Sequence, residues 1–239
     1  MKMKNKKAEQ IAAKQKHREQ LKAKRRVEPD LERVVAELIE KPSILIVCDG
    51  KNTEPSYFNQ FRISSAKVKT VGEGYNTISL VNRAIELADQ KKYDQVWCVF
   101  DADPKPDNPK QAQNFNDAIK LAEKNNFGVA YSNQAFEYWL ILHLSDHQGV
   151  AMNRTDYNEK INELLKPFNI IYDGNDGKIV TEDFFELLDG IDERTEKKRV
   201  DLAINRAERN YNLFDHLNPA QDESSTTVFR LAKELLKYM

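Results

Sequence analysis

Ile44–Glu54 reads ILIVCDGKNTE: a short apolar run stops on Asp49 and Gly50, then enters a polar stretch holding Lys51 and Glu54. Further along, Gln95–Asp103 reads QVWCVFDAD and stops in the same way, on Asp101 and Asp103. Two acids one residue apart just past a strand can both turn toward one cation, and Asp49 adds a third carboxylate. An all-oxygen ligand set suits Mg2+ (or Mn2+), which keeps several waters and takes its remaining ligands from a phosphate. A metal held there polarises a phosphodiester, activates water and neutralises the leaving oxygen. Asp49, Asp101 and Asp103 are therefore expected to be both metal ligands and catalytic acids.

The neighbouring candidates each carry an alternative. Glu54 is a further catalytic acid, or a first-turn carboxylate favoured by a helix dipole. Lys51 meets a nucleic-acid phosphate, or is solvated. Glu137 lies among Phe136, Tyr138, Trp139, Leu140, Ile141 and Leu142, where a charge is expensive unless paired or metal-bound. It is taken as a supporting acid, with capping of its own helix as the alternative. His143 falls ~240° further round an ideal helix, on a different face. It stays a second-tier candidate, and a satisfied buried histidine is the plainer account.

The elements that must position these residues follow from periodicity. Ile44–Cys48, Val68–Val71, Val96–Phe100 and Gly128–Tyr131 read as strands. Thr53–Arg62 (with Thr53 as N-cap), Asn76 or Thr77 to Gln90, Pro109–Asn126 and Ala135–Leu144 read as helices. Apolar strands alternating with helices predict an α/β fold: an open, mainly parallel four-stranded sheet flanked by helices, with ligands at the C-terminal strand edges. Beyond Ser145 the chain reads as helices at Tyr157–Leu165, Glu182–Leu188, Asp192–Leu213 and Thr226–Tyr238. The expected organisation is a basic N-terminal helical arm over 1–30, an α/β domain over 31–145 and a helical C-terminal region over 146–239. An amphipathic helix is expected at Leu31–Ile39.

Composition narrows the class. Apolar content of 40% and charged content of 31% fit a soluble globular protein. No apolar run approaches the ~20 residues that span a bilayer, and no apolar core follows the N-terminal charges as a secretory signal requires. Cys48 and Cys98, both in strands, have no CxxC spacing and read as buried thiols, so a cytoplasmic protein is expected. If their strands are neighbours, the thiols could lie close. Residues 1–26 carry eleven Lys/Arg and two Glu, a net of +9; the remaining 26 basic and 36 acidic residues give −10. Lys22, Lys24, Arg25 and Arg26 on that arm are expected to hold a nucleic-acid backbone, the alternative being a solvated tail.

Other patterns are set aside. Gly72-Glu73-Gly74 is half a dinucleotide fingerprint and is read as a tight turn beside the crevice. Asp173–Gly177 has its glycine one place early for a calcium loop and Phe184 where the last ligand belongs, so it is read as a turn. No P-loop, HExxH or GxSxG occurs.

Taken together, ILIVCDGKNTEPSYF, VFDADP, SNQAFEYWLILH and, more weakly, STTVFRL resemble the RloB-like (AbiLii-like) proteins of bacterial defence loci, over most of the chain. The resemblance implies a Toprim-type catalytic domain, a small parallel sheet that uses Mg2+ to cut or join phosphodiesters. It implies that Asp101 and Asp103 hold metal and that the Asp49 position carries the catalytic acid or base. It also implies a phage-defence role, often beside an ATPase partner. Two departures stand out. The family has CEGK where this chain has Asp49, withdrawing the carboxylate by about 1 Å, which can cost ~100-fold in rate. Its SNPCFE is SNQAFE here, without the helix-start proline.

The expected activity is Mg2+-dependent hydrolysis of DNA or RNA. Two rivals are kept: a binding or regulatory subunit weakened at Asp49, and an enzyme acting on a small nucleotide. DNA against RNA, endo- against exonuclease, the activating signal and a homo-oligomeric state stay open.

Overall fold

The computed structural model describes residues 3–25, 41–104, 108, 110–147 and 152–239. The expected helix at Leu31–Ile39 lies outside the described residues. The chain divides into Met1–Glu40 and Lys41–Met239. In the first unit, α1 runs Met3–Arg25 without glycine or proline. Its described side chains are exposed, Ile11 and Leu21 included, as the lack of an apolar stripe foretells.

The second unit is built on β1 (Ser43–Cys48), β2 (Lys67–Gly72), β3 (Gln95–Asp101) and β4 (Gly128–Ser132), all parallel in the order β2-β1-β3-β4. This is an open parallel α/β sheet. Central β1 is buried on both faces: Ile44, Ile46 and Cys48 join one core, Leu45 and Val47 the other. That accounts for an unbroken apolar run rather than an alternating one. Val47 and Cys98 are register partners, so Cys98 shares the face of Val47. Although β1 and β3 are neighbours, the two thiols lie in opposite cores.

On the Leu45 face pack α3 (Thr77–Gln90) and α4 (Lys110–Lys124). On the Ile44 face pack α2 (Thr53–Phe58), α5 (Glu137–Leu144), α6 (Arg154–Leu165), α7 (Glu182–Asp189), α8 (Arg199–Tyr211) and α9 (Val228–Leu236). The helices beyond residue 145 thus share a core with β1 and α5. Helix α5 is buried almost all round, as its uniformly apolar sequence requires.

The sheet edges are closed by different means. Edge strand β2 presents Lys67 and Lys69, charges that discourage pairing with another chain. Along β4, Thr226 bridges Ser132, the Thr227 N–H donates to Tyr131 O at 2.8 Å, and the Thr227 hydroxyl donates to Val129 O at 3.1 Å. The STT of STTVFRL therefore covers a strand edge.

Two boundaries differ most from expectation, the other helix ends by three residues or fewer. Helix α2 ends at Phe58, with Asn52 as its N-cap residue; Thr53 turns inward and is buried. The segment expected as one helix from Asp192 contains a hairpin, β5 (Ile191–Asp192) with β6 (Lys197–Lys198), before α8 begins at Arg199. Asp192 closes that turn by accepting the Thr195 hydroxyl at 2.8 Å, and its carbonyl accepts the Glu196 N–H at 2.8 Å. Glu196 sits at φ +57, which breaks a helix that local propensity alone would continue.

Candidate active site

The strand order reverses between β1 and β3, which opens a crevice at their C-terminal ends. Asp49 follows β1 and Asp101 closes β3. The Asp49 N–H stays on the ladder, donating to Val99 O at 3.0 Å. Its carboxylate is tied across the crevice, with the Asp101 N–H donating to Oδ2 at 3.1 Å. Asp101 Oδ2 in turn accepts the Phe136 N–H at 3.0 Å, at the start of α5, where a helix N-terminus favours an anion.

Glu54 enters from the first turn of α2 and is buried, with no donor reaching its Oε2. A Cβ at Gly50 would stand 2.0 Å from that oxygen, so this approach needs glycine. Glu137, also buried, accepts the Tyr172 hydroxyl at 3.0 Å on Oε1. The Tyr172 hydroxyl also lies 3.5 Å from that of Thr53. Asp103, at φ +39, pairs with Arg154 at the rim.

A cleft of about 280 Å3 joins these groups, lined by the acids with Lys51, Asn52, Gly74, Tyr75, Arg154 and Lys178. The structure thus brings Asp49, Asp101, Asp103, Glu54, Glu137 and Lys51 to one place. His143 is not in it. Its Nδ1 lies 3.0 Å from Trp139 O and its Nε2 3.2 Å from the Tyr57 hydroxyl. A carbonyl only accepts, which puts the proton on Nδ1 and leaves Nε2 to accept from Tyr57. Burial pushes this imidazole down to about 3, so it is a neutral core histidine. On the arm, Lys22 is exposed and Lys24 and Arg25 lie within α1, while Arg26 lies outside the described residues.

Electrostatics decide what the acids need. Burial pushes Asp49 up to about 6, opposed by hydrogen bonds from the Asp101 N–H, a protonated Glu54 and the Gly50 N–H. Burial raises Glu54 well above the carboxylate range, and the charges of Asp49 and Glu137 raise it further. Asp101 is raised well above its range too, by burial and then by Asp49, Glu54 and Glu137. Buried carboxylates this close cannot all ionise unaided; they hold protons or a cation.

The donor set fits a hard divalent cation, because every ligand is a carboxylate oxygen and one buried oxygen has no partner. Among the described residues, however, no group of three or more His, Cys, Asp or Glu side chains stands ready-spaced to hold a metal ion. Thiolate or imidazole ligation is not offered either, since Cys48 and Cys98 are buried in the cores and His143 is bound elsewhere.

Arg154 and Lys178 line the cleft and Tyr172 supports its Glu137, without any sequence motif marking them. They come from the C-terminal half, through α6 and the turn that follows it. In that turn the Asp173 carboxylate accepts the N–H groups of Asn175, Asp176 and Gly177, each at 3.1 Å, so it closes a turn. Asn52 fastens it to the cleft by donating to Gly177 O at 3.0 Å. Gly72 and Gly74 lie beside the crevice; Gly74, at φ +70, makes room for the stem of Lys51.

Fold and site together define an open parallel α/β protein with an acidic cleft at the topological switch of its sheet. The chain belongs to the RloB-like protein family, whose model matches residues 44–235, a family associated with defence-related proteins. No curated protein and no solved structure matches it. Among the described residues no helix is long and apolar enough to cross a membrane.

Proposed function

We infer that this RloB-like protein is a Mg2+- or Mn2+-dependent nuclease with a Toprim-type carboxylate site, acting on DNA or RNA in antiviral defence. The observation that carries this is the meeting of Asp49, Glu54 and Asp101 at the β1–β3 switch, with Glu54 Oε2 buried and partnerless. Asp49, Asp101 and Glu54 would hold the metal, with Asp103 and Glu137 beside them. The ion would supply charge neutralisation on the phosphodiester and a more acidic water.

The chain's own groups supply the rest. Asp49, whose carboxyl burial pushes up to about 6, would take the proton of the attacking water. The Asp101 N–H and the Phe136 N–H fix Asp49 and Asp101 in place. Tyr172 holds Glu137. Lys51, exposed at the mouth, meets the phosphate backbone, and the basic arm adds sequence-independent affinity that falls with salt. An ATPase of the same defence locus is the proposed protein partner.

One observation favours a second reading, a binding subunit with weakened catalysis. The Asp49 carboxylate, one methylene shorter than the family's glutamate, has its Oδ2 engaged by the Asp101 main-chain N–H. The test is cleavage of labelled single- and double-stranded DNA and RNA in Mg2+ or Mn2+. The nuclease reading requires cleavage that is lost in chelator and in Asp101→Asn. Binding without cleavage, with or without the ATPase, supports the subunit reading instead.

A further inference from the structure

We propose that Arg154 is a built-in counter-cation of the cleft that exchanges Asp103 for a phosphate of the nucleic acid, and that Arg154, Lys178 and Lys51 together form the phosphate seat. This rests on the nuclease reading above.

Arg154 is the first residue of α6 and reaches the end of β3 from across the cleft. Its guanidinium pairs with Asp103, and both side chains are about one-third exposed (38% and 35%). The pair can therefore open without unpacking a core. Its guanidinium shares the cleft with Asp101, Asp103 and Glu137. It thus neutralises the same acids that a divalent cation would use.

Lys51 and Lys178 differ from Arg154 in one respect. Both line the cleft, and among the described residues neither side-chain ammonium has a hydrogen-bond or ion-pair partner. Lys178 is half-buried at φ +50, on the turn fixed by Asp173 and Asn52. The Lys51 stem crosses Gly74, where an added Cβ would stand 2.6 Å from its Cε. Cations held in a cleft yet not paired with its acids await an anion. Of the three, only the planar fork of arginine can grip a phosphate through two parallel hydrogen bonds.

Two consequences follow. In the free protein Arg154 repels a divalent cation and occupies Asp103, weakening metal binding. A phosphate that draws Arg154 away lifts that repulsion, so metal and phosphate bind with positive, reciprocal coupling.

The test measures binding of Mn2+ alone, and of thymidine 3′,5′-bisphosphate alone, to the full chain, Arg154→Met and Arg154→Lys by calorimetry. Removing the charge should tighten Mn2+ binding by about 5- to 150-fold, the usual range of such couplings. It should weaken bisphosphate binding by about 10- to 100-fold, the loss of a charge-assisted contact. Arg154→Lys should bind Mn2+ nearly as the parent does and the bisphosphate at an intermediate level. Melting temperatures within error of the parent establish that the fold is intact. If both affinities fall together, Arg154 is a brace and the proposal is overturned. If all forms bind Mn2+ equally and the bisphosphate equally, the proposal is overturned while the nuclease reading stands. If no form binds Mn2+, both are overturned.

Discussion

The main-chain N–H of Asp101 donates to Oδ2 of Asp49 at 3.1 Å, so the last residue of β3 fixes the acid that follows β1. The contact exists because β1 and β3 are adjacent and in parallel register, with Cys48 opposite Val99. The sheet itself thus sets the separation of the first two carboxylates, while loops and helices bring up the others.

Gly50 admits the third acid. Its backbone is not left-handed, so Gly50→Ala tests side-chain volume alone. The new Cβ would meet Glu54 Oε2 at 2.0 Å and its carboxyl carbon at 2.7 Å, forcing Glu54 away. Cleavage should fall by roughly 100-fold, the usual cost of a ~1 Å misplacement. Steady-state kinetics with a melting curve would show it; unchanged kinetics would remove Glu54 from the site.

Asp49→Glu restores the length that the family resemblance carries. The present carboxylate is engaged by a main-chain donor on the cleft floor, and an added methylene moves it toward the cleft. The variant should cleave faster, by up to about 100-fold. A slower variant would mean that this chain has adapted to Asp49.

Tyr172→Phe removes the hydroxyl donated to buried Glu137 at 3.0 Å. Losing a hydrogen bond to a buried carboxylate costs about 1.5–3 kcal/mol. Chemical denaturation should show that loss together with weaker cleavage. A stability unchanged by the substitution would show that Glu137 does not depend on Tyr172.

His143 gives a pH signature separate from the cleft. Burial lowers its folded value from 6.5 to about 3, so the unfolded chain binds its proton more readily. Its stabilisation is complete above 6.5 and falls as pH drops from there toward 3, by up to about 1.4 kcal/mol per unit. Against His143→Gln, the parent should lose relative stability between neutral pH and about pH 4. Parallel stability curves would contradict the buried neutral imidazole.

The sheet and the first acids were legible because buried parallel strands are short apolar runs, and at Asp49 and Asp101 each run ends on the residue that faces the crevice. Glu137 was legible as a costly acid among apolar residues, and Glu54 as an acid in the polar stretch that follows Asp49. Arg154, Tyr172 and Lys178 were not, because tertiary packing alone brings them there: Arg154 meets Asp103 across a separation of 51 residues. The β5–β6 hairpin was hidden by a helix-prone charged run whose turn depends on Asp192 and Glu196. His143 has the residue type of a catalytic group, but the fold binds it to Trp139 and Tyr57.

The most direct measurement is Mn2+ binding by electron paramagnetic resonance, on the full chain and on Asp101→Asn. A cation site built on Asp49, Glu54 and Asp101 predicts bound Mn2+ in the parent and its loss, or a drop in affinity of at least about tenfold, in the variant. Mn2+ bound equally by both proteins, or by neither, would contradict it.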